Sequence, residues 1–306
     1  MALHQLSSIT IGVPNVEETC RYYAEFGLTR RGATFSTIDG GEQLRIVESP
    51  TRRLIELCIG ADDDDDVARV SHHLSGLGVA IEPGPSYVSA LENQSGARVV
   101  VTVLPRMTQS PAATEPTNGP GYSHRANGRA PGILREQPVR PRKLGHVVIG
   151  TPDAVASRRF FVDGVGFKVS DEVRGLAAFI RCSTDHHNLL LQPAPVPFLH
   201  HTSWQVDDVD DVGRGAMSML EGHPERHVWG LGRHFIGSNF FWYLRDPAGN
   251  FSEYYSDMDS ITDDQLWTPG MWEPSLRALY AWGPDVPPSM LAPDDLAELM
   301  ASSHQS

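Results

Sequence analysis

Three side chains in the second half of the chain, His146, His201 and Glu253, are of the types that bind a divalent metal. Two imidazoles and one carboxylate make up the facial triad, which leaves coordination positions open for a substrate and for dioxygen and which suits non-haem iron(II). Manganese(II) binds the same donors. Because a lone histidine in a strand is usually structural, the prediction of a metal site depends on where the three residues lie in the fold.

An internal repeat gives these residues equivalent positions in the chain. The stretch Leu6–Asn15 resembles Leu144–Asp153: each is a short β-branched strand that ends in Pro followed by Asn or Asp. Each is followed by a helical stretch that carries aromatic residues on one face and ends at a glycine. His201 aligns with His146 when the strand that contains His201 is superposed on the strand that contains His146.

The two halves differ at the residues that could do chemistry. Ser8 stands in the first half where His146 stands in the second, and Val100 stands where Glu253 stands. We therefore expect a metal in the second half alone.

A second kind of half-unit begins at Asp65 and again at Asp210, where acidic residues open a helix and so suit its dipole. Each of these units closes on a strand after a glycine turn. The pattern predicts an α+β fold of four βαβββ modules in two similar domains. The predicted division is an N-terminal domain without a metal site at 1–104, a linker at 105–143, a catalytic metal-binding domain at 144–256, and a tail packed on the catalytic domain at 257–306.

The predicted linker is basic, with seven Lys and Arg residues against two Glu, in a chain whose formal net charge is −13. It is rich in Pro and Gly and has no hydrophobic period, which is typical of an extended or disordered connection. A docking segment for a partner is the alternative interpretation.

Composition excludes several classes of function. The chain has 306 residues, 40% hydrophobic and 21% charged, which indicates a globular protein with a real core. The acidic balance argues against nucleic acid or an anionic membrane as the partner, and no apolar run approaches the roughly 20 residues that span a bilayer. The N-terminus has no signal-peptide pattern. Three cysteines far apart in the sequence favour neither disulfides nor a zinc site, so a reducing cytoplasm is the expected location.

Further histidines and a tyrosine lie close in sequence to the candidate ligands. His186 and His187 are expected to begin a strand, with His187 functional and His186 facing solvent, because neighbours in a strand point to opposite faces. For the same reason His200 is expected to turn away from a metal that His201 faces. An imidazole beside a metal is a suitable proton shuttle, and a tyrosine hydroxyl can hydrogen-bond a metal-bound oxygen.

The second half resembles the vicinal oxygen chelate superfamily, and within it the two-domain extradiol catechol dioxygenases. The resemblance is carried by the order and spacing of a set of short elements, namely Gly145-His146, His186-His187-Asn188, His200-His201, Gly232-Arg233-His234, Tyr243, Arg245-Asp246-Pro247 and Glu253-Tyr254. It implies a glyoxalase-like fold in which each domain is a curved mixed sheet around a cavity. It also implies that His146, His201 and Glu253 hold the metal, that His187 is the acid-base residue, and that His234 and Tyr243 contact the catecholate.

The activity that the resemblance implies is extradiol cleavage of a catecholic substrate by O2 at iron(II), with manganese possible, in a homo-oligomer. Three alternatives stay open: a dioxygenase that cleaves hydroquinones, a glyoxalase-like isomerase or epimerase, and a non-catalytic binding protein of the same fold. The ring substituent is open as well. Arg233 could pair with a substrate carboxylate or with a structural partner, and Phe235, Phe240 and Trp242 could line a pocket or belong to the core.

Overall fold

Two mixed β-sheets, one in each half of the chain, form the framework of the protein. The computed structural model describes residues 3–113 and 116–303. The first-half strands are β1 Leu3–Val13, β2 Thr29–Arg31, β3 Thr34–Thr37, β4 Gly41–Glu48, β5 Arg53–Ala61, β6 Ile81–Gly84, β7 Tyr87–Glu92 and β8 Ala97–Val103. The others are β9 Lys143–Thr151, β10 Lys168–Val173, β11 Ala177–Arg181, β12 Leu189–Pro193, β13 Phe198–Gln205, β14 His227–Arg233, β15 Phe240–Arg245, β16 Phe251–Ser256 and β17 Gly270–Trp272.

A helix follows the first strand of each module: α1 Val16–Glu25, α2 Asp64–Gly76, α3 Ala154–Arg159 and α4 Val209–Leu220. The described part of the tail holds the short helices α5 Leu276–Leu279, α6 Pro288–Leu291 and α7 Leu296–Ser303. Within the described ranges, no helix is both long enough and apolar enough to cross a membrane.

The sheet order confirms the α+β fold of four βαβββ modules. The first sheet runs β2-β3-β4-β1-β5-β8-β7-β6 and the second β14-β15-β16-β13-β9-β12-β11-β10-β17. In every module the first strand pairs in parallel with the last, as β1 does with β4 and β13 with β16. The two modules of a sheet meet through an antiparallel pair, β1 with β5 and β9 with β13. The central strands of the second sheet are thus β9, β13 and β16.

Acidic residues cap the helices as the sequence predicts. The side chains of Asp63, Asp153 and Asp208 each accept a hydrogen bond from the backbone N–H three residues later, which satisfies a donor that the first turn leaves free. The acidic residues at Asp65 and Asp210 are therefore confirmed as lying in the first turns of α2 and α4. The helical stretch predicted after the second copy of the repeat continues beyond α3 as a π-helix, Phe160–Val165, and ends at Gly166, whose φ of +98° lies in the left-handed region that glycine adopts most easily.

Helix α1 of the first half packs on the back of the second sheet. The Phe26 ring stacks on the Tyr254 ring with centroids 3.8 Å apart, and the Tyr254 hydroxyl donates to the Phe26 carbonyl at 2.7 Å. The Tyr22 hydroxyl lies 2.5 Å from Ser252 Oγ. Because successive side chains of a strand point to opposite faces, burial of Ser252 and Tyr254 against α1 directs Glu253 to the other face.

Several basic residues of the connection at 105–143 pair with acidic residues of this same chain. Arg106 bonds Asp62 through two contacts of 2.7 and 2.5 Å, and Arg142 bonds Asp39 at 2.7 Å. Arg135 pairs with carboxylates at the start of α4. These contacts neutralise part of its charge. The division at 104, 143 and 256 stays a prediction, and residues 1–2, 114–115 and 304–306, which it also covers, lie outside the described residues.

The tail after residue 256 contacts both halves of the protein. Strand β17 adds to the edge of the second sheet, in parallel with β10. Beyond it, Asp295 accepts two hydrogen bonds from Arg52, from Nε at 2.6 Å and from Nη2 at 2.8 Å. Arg52 belongs to the first half, and its side chain is only 2% exposed. A buried guanidinium of the first half therefore holds the tail.

An Asp295→Ala substitution should lower the free energy of unfolding by about 2 kcal/mol, because it leaves the buried Arg52 charge without its anion. The loss should stay below that of a fully buried pair, since the Asp295 side chain is 30% exposed. Urea unfolding followed by tryptophan fluorescence measures the change. The double variant Arg52→Met/Asp295→Leu removes both charges and should recover most of the loss. Unchanged stability in the single variant would contradict a structural role for this pair.

Candidate metal centre

The three predicted metal ligands lie side by side on the central strands of the second sheet. His146 in β9 and Glu253 in β16 are both register partners of Ser203 in β13, and His201 is two residues earlier in β13. The His146 and His201 Nε2 atoms are 3.3 Å apart. Glu253 Oε2 lies 3.2 Å from the first and 3.7 Å from the second. Three strands of one sheet thus bring two imidazoles and a carboxylate together.

These donors fit a divalent cation. Each residue offers one donor atom within 4.8 Å of the others, and all three are buried. Glu253 Oε2 makes no hydrogen bond to any described residue, although it is fully buried. Burying a carboxylate oxygen without a partner is costly, and a cation between the three donors removes that cost. The described residues contain no other cluster of this kind.

The protonation states of the donors suit metal binding. Burial would raise the pKa of Glu253, but the adjacent His146 and His234 imidazoles hold it below its ordinary value, so the group is an anion. Burial, followed by the neighbouring His200, holds the pKa of His201 well below its ordinary range. A neutral imidazole and an ionised carboxylate are the forms that bind metals.

The first sheet has the same geometry without the donors. There Ser8 pairs with Cys58, and Cys58 pairs with Val100, which is the counterpart of the ladder His146–Ser203–Glu253. The position two residues before Cys58 holds Glu56, whose carboxylate is bound to Arg98 at 2.9 Å. The register therefore supports the alignment of Ser8 with His146 and of Val100 with Glu253.

His186 is not solvent-facing, which corrects the prediction. It is fully buried, and its Nε2 lies 3.1 Å from Asp171 Oδ2. The alternation of strand neighbours does not apply, because β12 begins only at Leu189 and both histidines precede it. His187 lines the cavity beside the triad, with its ring centroid 4.2 Å from that of His146. Burial, followed by the surrounding histidines, holds the pKa of His187 well below its ordinary range.

His234 and Tyr243 form a hydrogen-bonded pair on the opposite side of the triad. His234 Nδ1 lies 2.6 Å from the Leu279 carbonyl, which can only accept, so Nδ1 carries the proton. His234 Nε2 therefore accepts from the Tyr243 hydroxyl at 2.9 Å. Burial, followed by the nearby Glu253, raises the pKa of Tyr243 well above its ordinary value, so its hydroxyl stays protonated.

His200 contributes no donor to the triad, but its ring lines the same cavity as His201. The prediction that it turns away from the metal is not contradicted, although the register of β13 shifts between Leu199 and His201 and strict alternation is lost. His200 Nδ1 is 2.8 Å from His201 Nδ1, and His200 Nε2 is 3.0 Å from the Met290 carbonyl. With Nε2 of His201 toward the metal, its Nδ1–H donates to His200, and His200 in turn donates to the tail.

The cavity in front of the triad is apolar away from the histidines. Its wall includes Val148, Phe179, Leu190, Trp229, Ile236 and Met290. Among the described residues that line it, none is Lys, Arg, Asp or Glu, and Gln192 supplies the only amide side chain. The tail closes one side of the cavity with residues between 278 and 291.

The residues considered for the ring substituent lie elsewhere. Arg233 bonds Asp257 at 2.7 Å and lies over the Phe240 ring, 4.4 Å from its centroid, which favours the structural alternative. Phe235 is 45% exposed and packs edge-on against Trp272. Trp242 donates to His227 at 3.1 Å. None of the four candidates lines the cavity.

Two polar residues of this region were not identified from the sequence. Asn239 is fully buried and donates through Nδ2 to Glu253 Oε1 at 3.2 Å, so it fixes the second oxygen of the carboxylate. Its place directly before a run of aromatic residues could have indicated a buried polar role. Asp171, the partner of His186, lies in a strand with no distinguishing motif. The carbonyl groups of Leu279 and Met290 have no sequence signature at all.

Comparison with known proteins agrees with this geometry. Residues 143–254 match the family model of the Glyoxalase/Bleomycin resistance protein/Dioxygenase superfamily. Metapyrocatechase 2 of Cupriavidus necator is 32% identical over 94% of this chain and 91% of its own length. An iron-dependent extradiol dioxygenase of Rhodococcus jostii (strain RHA1) is 30% identical over 46% of this chain and 50% of its own.

Two solved structures share the whole fold. The Mn(II)-bound glyoxalase from Novosphingobium aromaticivorans superposes with a TM-score of 0.73 at 21% identity and covers 94% of each chain. Homoprotocatechuate 2,3-dioxygenase from Arthrobacter globiformis superposes with a TM-score of 0.74 at 17% identity, over 95% of this chain and 91% of that one. At these identities the likeness establishes the fold.

Proposed function

The chain belongs to the extradiol catechol dioxygenases of the vicinal oxygen chelate superfamily, and from that premise we propose that it cleaves catechols with apolar ring substituents at a metal held by His146, His201 and Glu253. The observation that carries the proposal is the convergence of these buried donors beside an apolar cavity, where Glu253 Oε2 has no hydrogen bond to any described residue.

Iron(II) is the proposed metal, with manganese(II) as the alternative that the same donors accept. When bound, it supplies a centre that chelates both catechol oxygens and also binds dioxygen, so that the two reactants meet in one place. Asn239 holds the second oxygen of Glu253, which favours binding through Oε2 alone. The relative from Rhodococcus jostii, an iron-dependent enzyme, supports iron as the first choice.

His187, His234 and Tyr243 are the proposed catalytic residues around the bound catechol. His187 lines the cavity as a neutral imidazole and is suited to take and return a proton. Tyr243 keeps its hydroxyl proton and donates to His234. Either residue can exchange its hydrogen bond within this pair for one with a catechol oxygen. The two sides of the cavity thus have different roles. His187 transfers protons, and His234 and Tyr243 orient the catechol.

The walls of the cavity select the substituent. A carboxylate group on the ring would be buried without a cationic partner, because no Lys or Arg is among the described lining residues. Apolar substituents gain free energy from contact with Phe179, Ile236 and Met290 at about 25 cal/mol for each Å² of apolar surface buried. We therefore propose alkyl- or aryl-substituted catechols, rather than acidic ones, as substrates.

A panel of diphenols tests both the proposed ring cleavage and the proposed preference for apolar ring substituents. Protein loaded with Fe(II) is mixed anaerobically with catechol, 3-methylcatechol, 4-ethylcatechol, homoprotocatechuate or hydroquinone, and oxygen is then admitted. We expect a yellow ring-opened product with one O2 consumed per catechol, and a kcat/KM for the alkylcatechols about tenfold or more above that for homoprotocatechuate. Cleavage of hydroquinone alone would identify the hydroquinone dioxygenase instead. A clear preference for homoprotocatechuate would contradict the substituent assignment.

A glyoxalase-like isomerase is the weaker candidate. Enzymes of that kind typically use four protein ligands, and the described residues give three converging donors. The likeness to a glyoxalase structure, at 21% identity, concerns the fold. Absence of oxygen uptake with every diphenol of the panel would revive this candidate.

Two further expectations stay proposals. The three cysteines are free of disulfides, which agrees with the proposed cytoplasmic location. A homo-oligomer is expected from the family resemblance.

A further inference from the structure

A line of three buried side chains leads from the edge of the second sheet to the cavity. Asp171 Oδ2 lies 3.1 Å from His186 Nε2, and His186 Nδ1 lies 3.1 Å from His187 Nδ1. Asp171 is 6% exposed, His186 0% and His187 3%. Only His187 lines the cavity. Asp171 and His186 can therefore influence the site only through His187.

The direction of each hydrogen bond follows from the donor count. A carboxylate only accepts, and a neutral imidazole has a single N–H. A neutral His186 must place its proton on Nε2 to bond Asp171, which leaves Nδ1 as an acceptor. His187 must then carry its proton on Nδ1. Its Nε2, which has no hydrogen-bond partner among the described residues, is left with a free electron pair.

Residues of the tail hold the outer end of this line. Asp171 Oδ1 accepts the backbone N–H of Gly270 at 2.5 Å. A Cβ atom on Gly270 would come within 2.6 Å of Trp272 Nε1 and 2.8 Å of Asp171 Oδ1, so a side chain at this position would force the indole, the carboxylate or both to shift. Trp267 lies edge-on against His186, with ring centroids 5.3 Å apart, and donates to the Ser170 carbonyl at 2.8 Å. These contacts exclude water and leave Asp171 Oδ2 directed at His186.

We propose that Asp171 and His186 are positioning residues that fix the Nδ1–H tautomer of His187, so that Nε2 meets the substrate as a proton acceptor. The inference rests on the proposed function. When a catechol hydroxyl binds, its O–H bond breaks, the electron pair stays on oxygen, and the proton bonds to His187 Nε2. The imidazolium so formed still donates Nδ1–H to His186, and the carboxylate of Asp171 stabilises its charge through that imidazole. The same proton returns from Nε2 to the ring-opened product.

Nitrogen NMR on the parent protein tests the tautomer directly and needs neither metal nor substrate. In metal-free protein labelled with ¹⁵N-histidine, with the His187 signals assigned by loss in His187→Phe, the Nδ1 of His187 should be protonated and Nε2 bare. A protonated Nε2 with a bare Nδ1 would overturn the proposal. That result would mean that His186 Nδ1 carries a proton and donates to His187 instead.

The variant Asp171→Asn should reverse the direction of the hydrogen bonds that join residues 171, 186 and 187. The amide oxygen can keep the Gly270 N–H, while the amide nitrogen donates to His186 Nε2, so the protons move to His186 Nδ1 and His187 Nε2. The same change in a Ser-His-Asp triad imposes the wrong tautomer and lowers kcat about 10⁴-fold. We expect a smaller fall in kcat, on the order of 100-fold, because an imidazole intervenes. The KM for catechol and the iron content should change less than about twofold.

The matched control is Asp264→Asn, which removes a tail carboxylate that pairs with Arg181 at 2.6 Å and takes no part in the hydrogen bonds of this line. It should leave the His187 tautomer and kcat unchanged. An Asp171→Asn protein with the parental tautomer and parental kcat would overturn the positioning role. If the parent shows the expected tautomer but cleaves no diphenol, the proposed function fails while the positioning of His187 stands.

Discussion

A His146→Ala variant should lose its metal, with the iron content falling from about one atom per chain to less than about a tenth of that. The substitution removes one of three protein donors and reproduces at β9 what Ser8 represents at β1, where the described residues form no metal cluster. A carboxylate and one imidazole hold a divalent ion far more weakly than the full triad does. Ring cleavage should fall by at least about 1,000-fold, since the reactants no longer meet on one centre.

Elemental analysis after gel filtration, together with the oxygen-uptake assay, measures both effects. The matched control is His4→Ala, because His4 is a buried imidazole of the equivalent strand β1, with a side chain only 3% exposed. It should keep the metal and the activity. Full retention of iron by the His146→Ala protein would show that the ligand assignment is wrong.

A His187→Phe variant should keep its metal and lose most of its turnover. The aromatic ring preserves the packing against Phe179, whose centroid is 5.2 Å from that of His187, while it removes both nitrogens. General acid-base catalysis contributes roughly 10²–10⁴-fold to a rate, so kcat should fall within that range. The KM for catechol should change little, because the binding groups of the opposite wall, His234 and Tyr243, are untouched.

Steady-state kinetics on protein of known iron content separates this outcome from a simple loss of metal. His223→Phe is the control, since His223 lies in an exposed loop with a side chain 51% exposed, and it should behave as the parent does. Cleavage of catechols at the parental rate by His187→Phe would disprove the acid-base role. Loss of iron would instead show that His187 supports the metal site, with which it is in ring contact.

Several parts of the fold were predictable because they depend on local chemistry. The β-branched strands, the aspartate caps and the glycine stops are properties of a few adjacent residues, and they repeat in the two halves of the chain. The repeat also gave the positions of His146 and Glu253, since the register of one sheet can be compared with that of the other. The family resemblance added His187, His234 and Tyr243, which line the same cavity.

The two histidine pairs show the limits of local rules. His186 was expected to face solvent because strand neighbours alternate, but the pair precedes β12 and the Trp267 ring of the tail covers it. His200 adds no donor to the metal site, as expected, but it also borders the cavity, which strict alternation along β13 does not predict. In both cases the surroundings of the side chain depend on distant chain segments.

Residue type and repetition were thus enough to predict the triad of His146, His201 and Glu253. What the sequence alone did not determine is what surrounds it: the Asn239 bond to Glu253, the Asp171–His186 line, and the tail carbonyls that bond His200 and His234. These contacts join residues far apart in the chain, and two of the partners are backbone groups that every residue type carries. Only the tertiary structure brings them to the metal centre. Packing between elements sets their positions, and no sequence pattern within a single element does so.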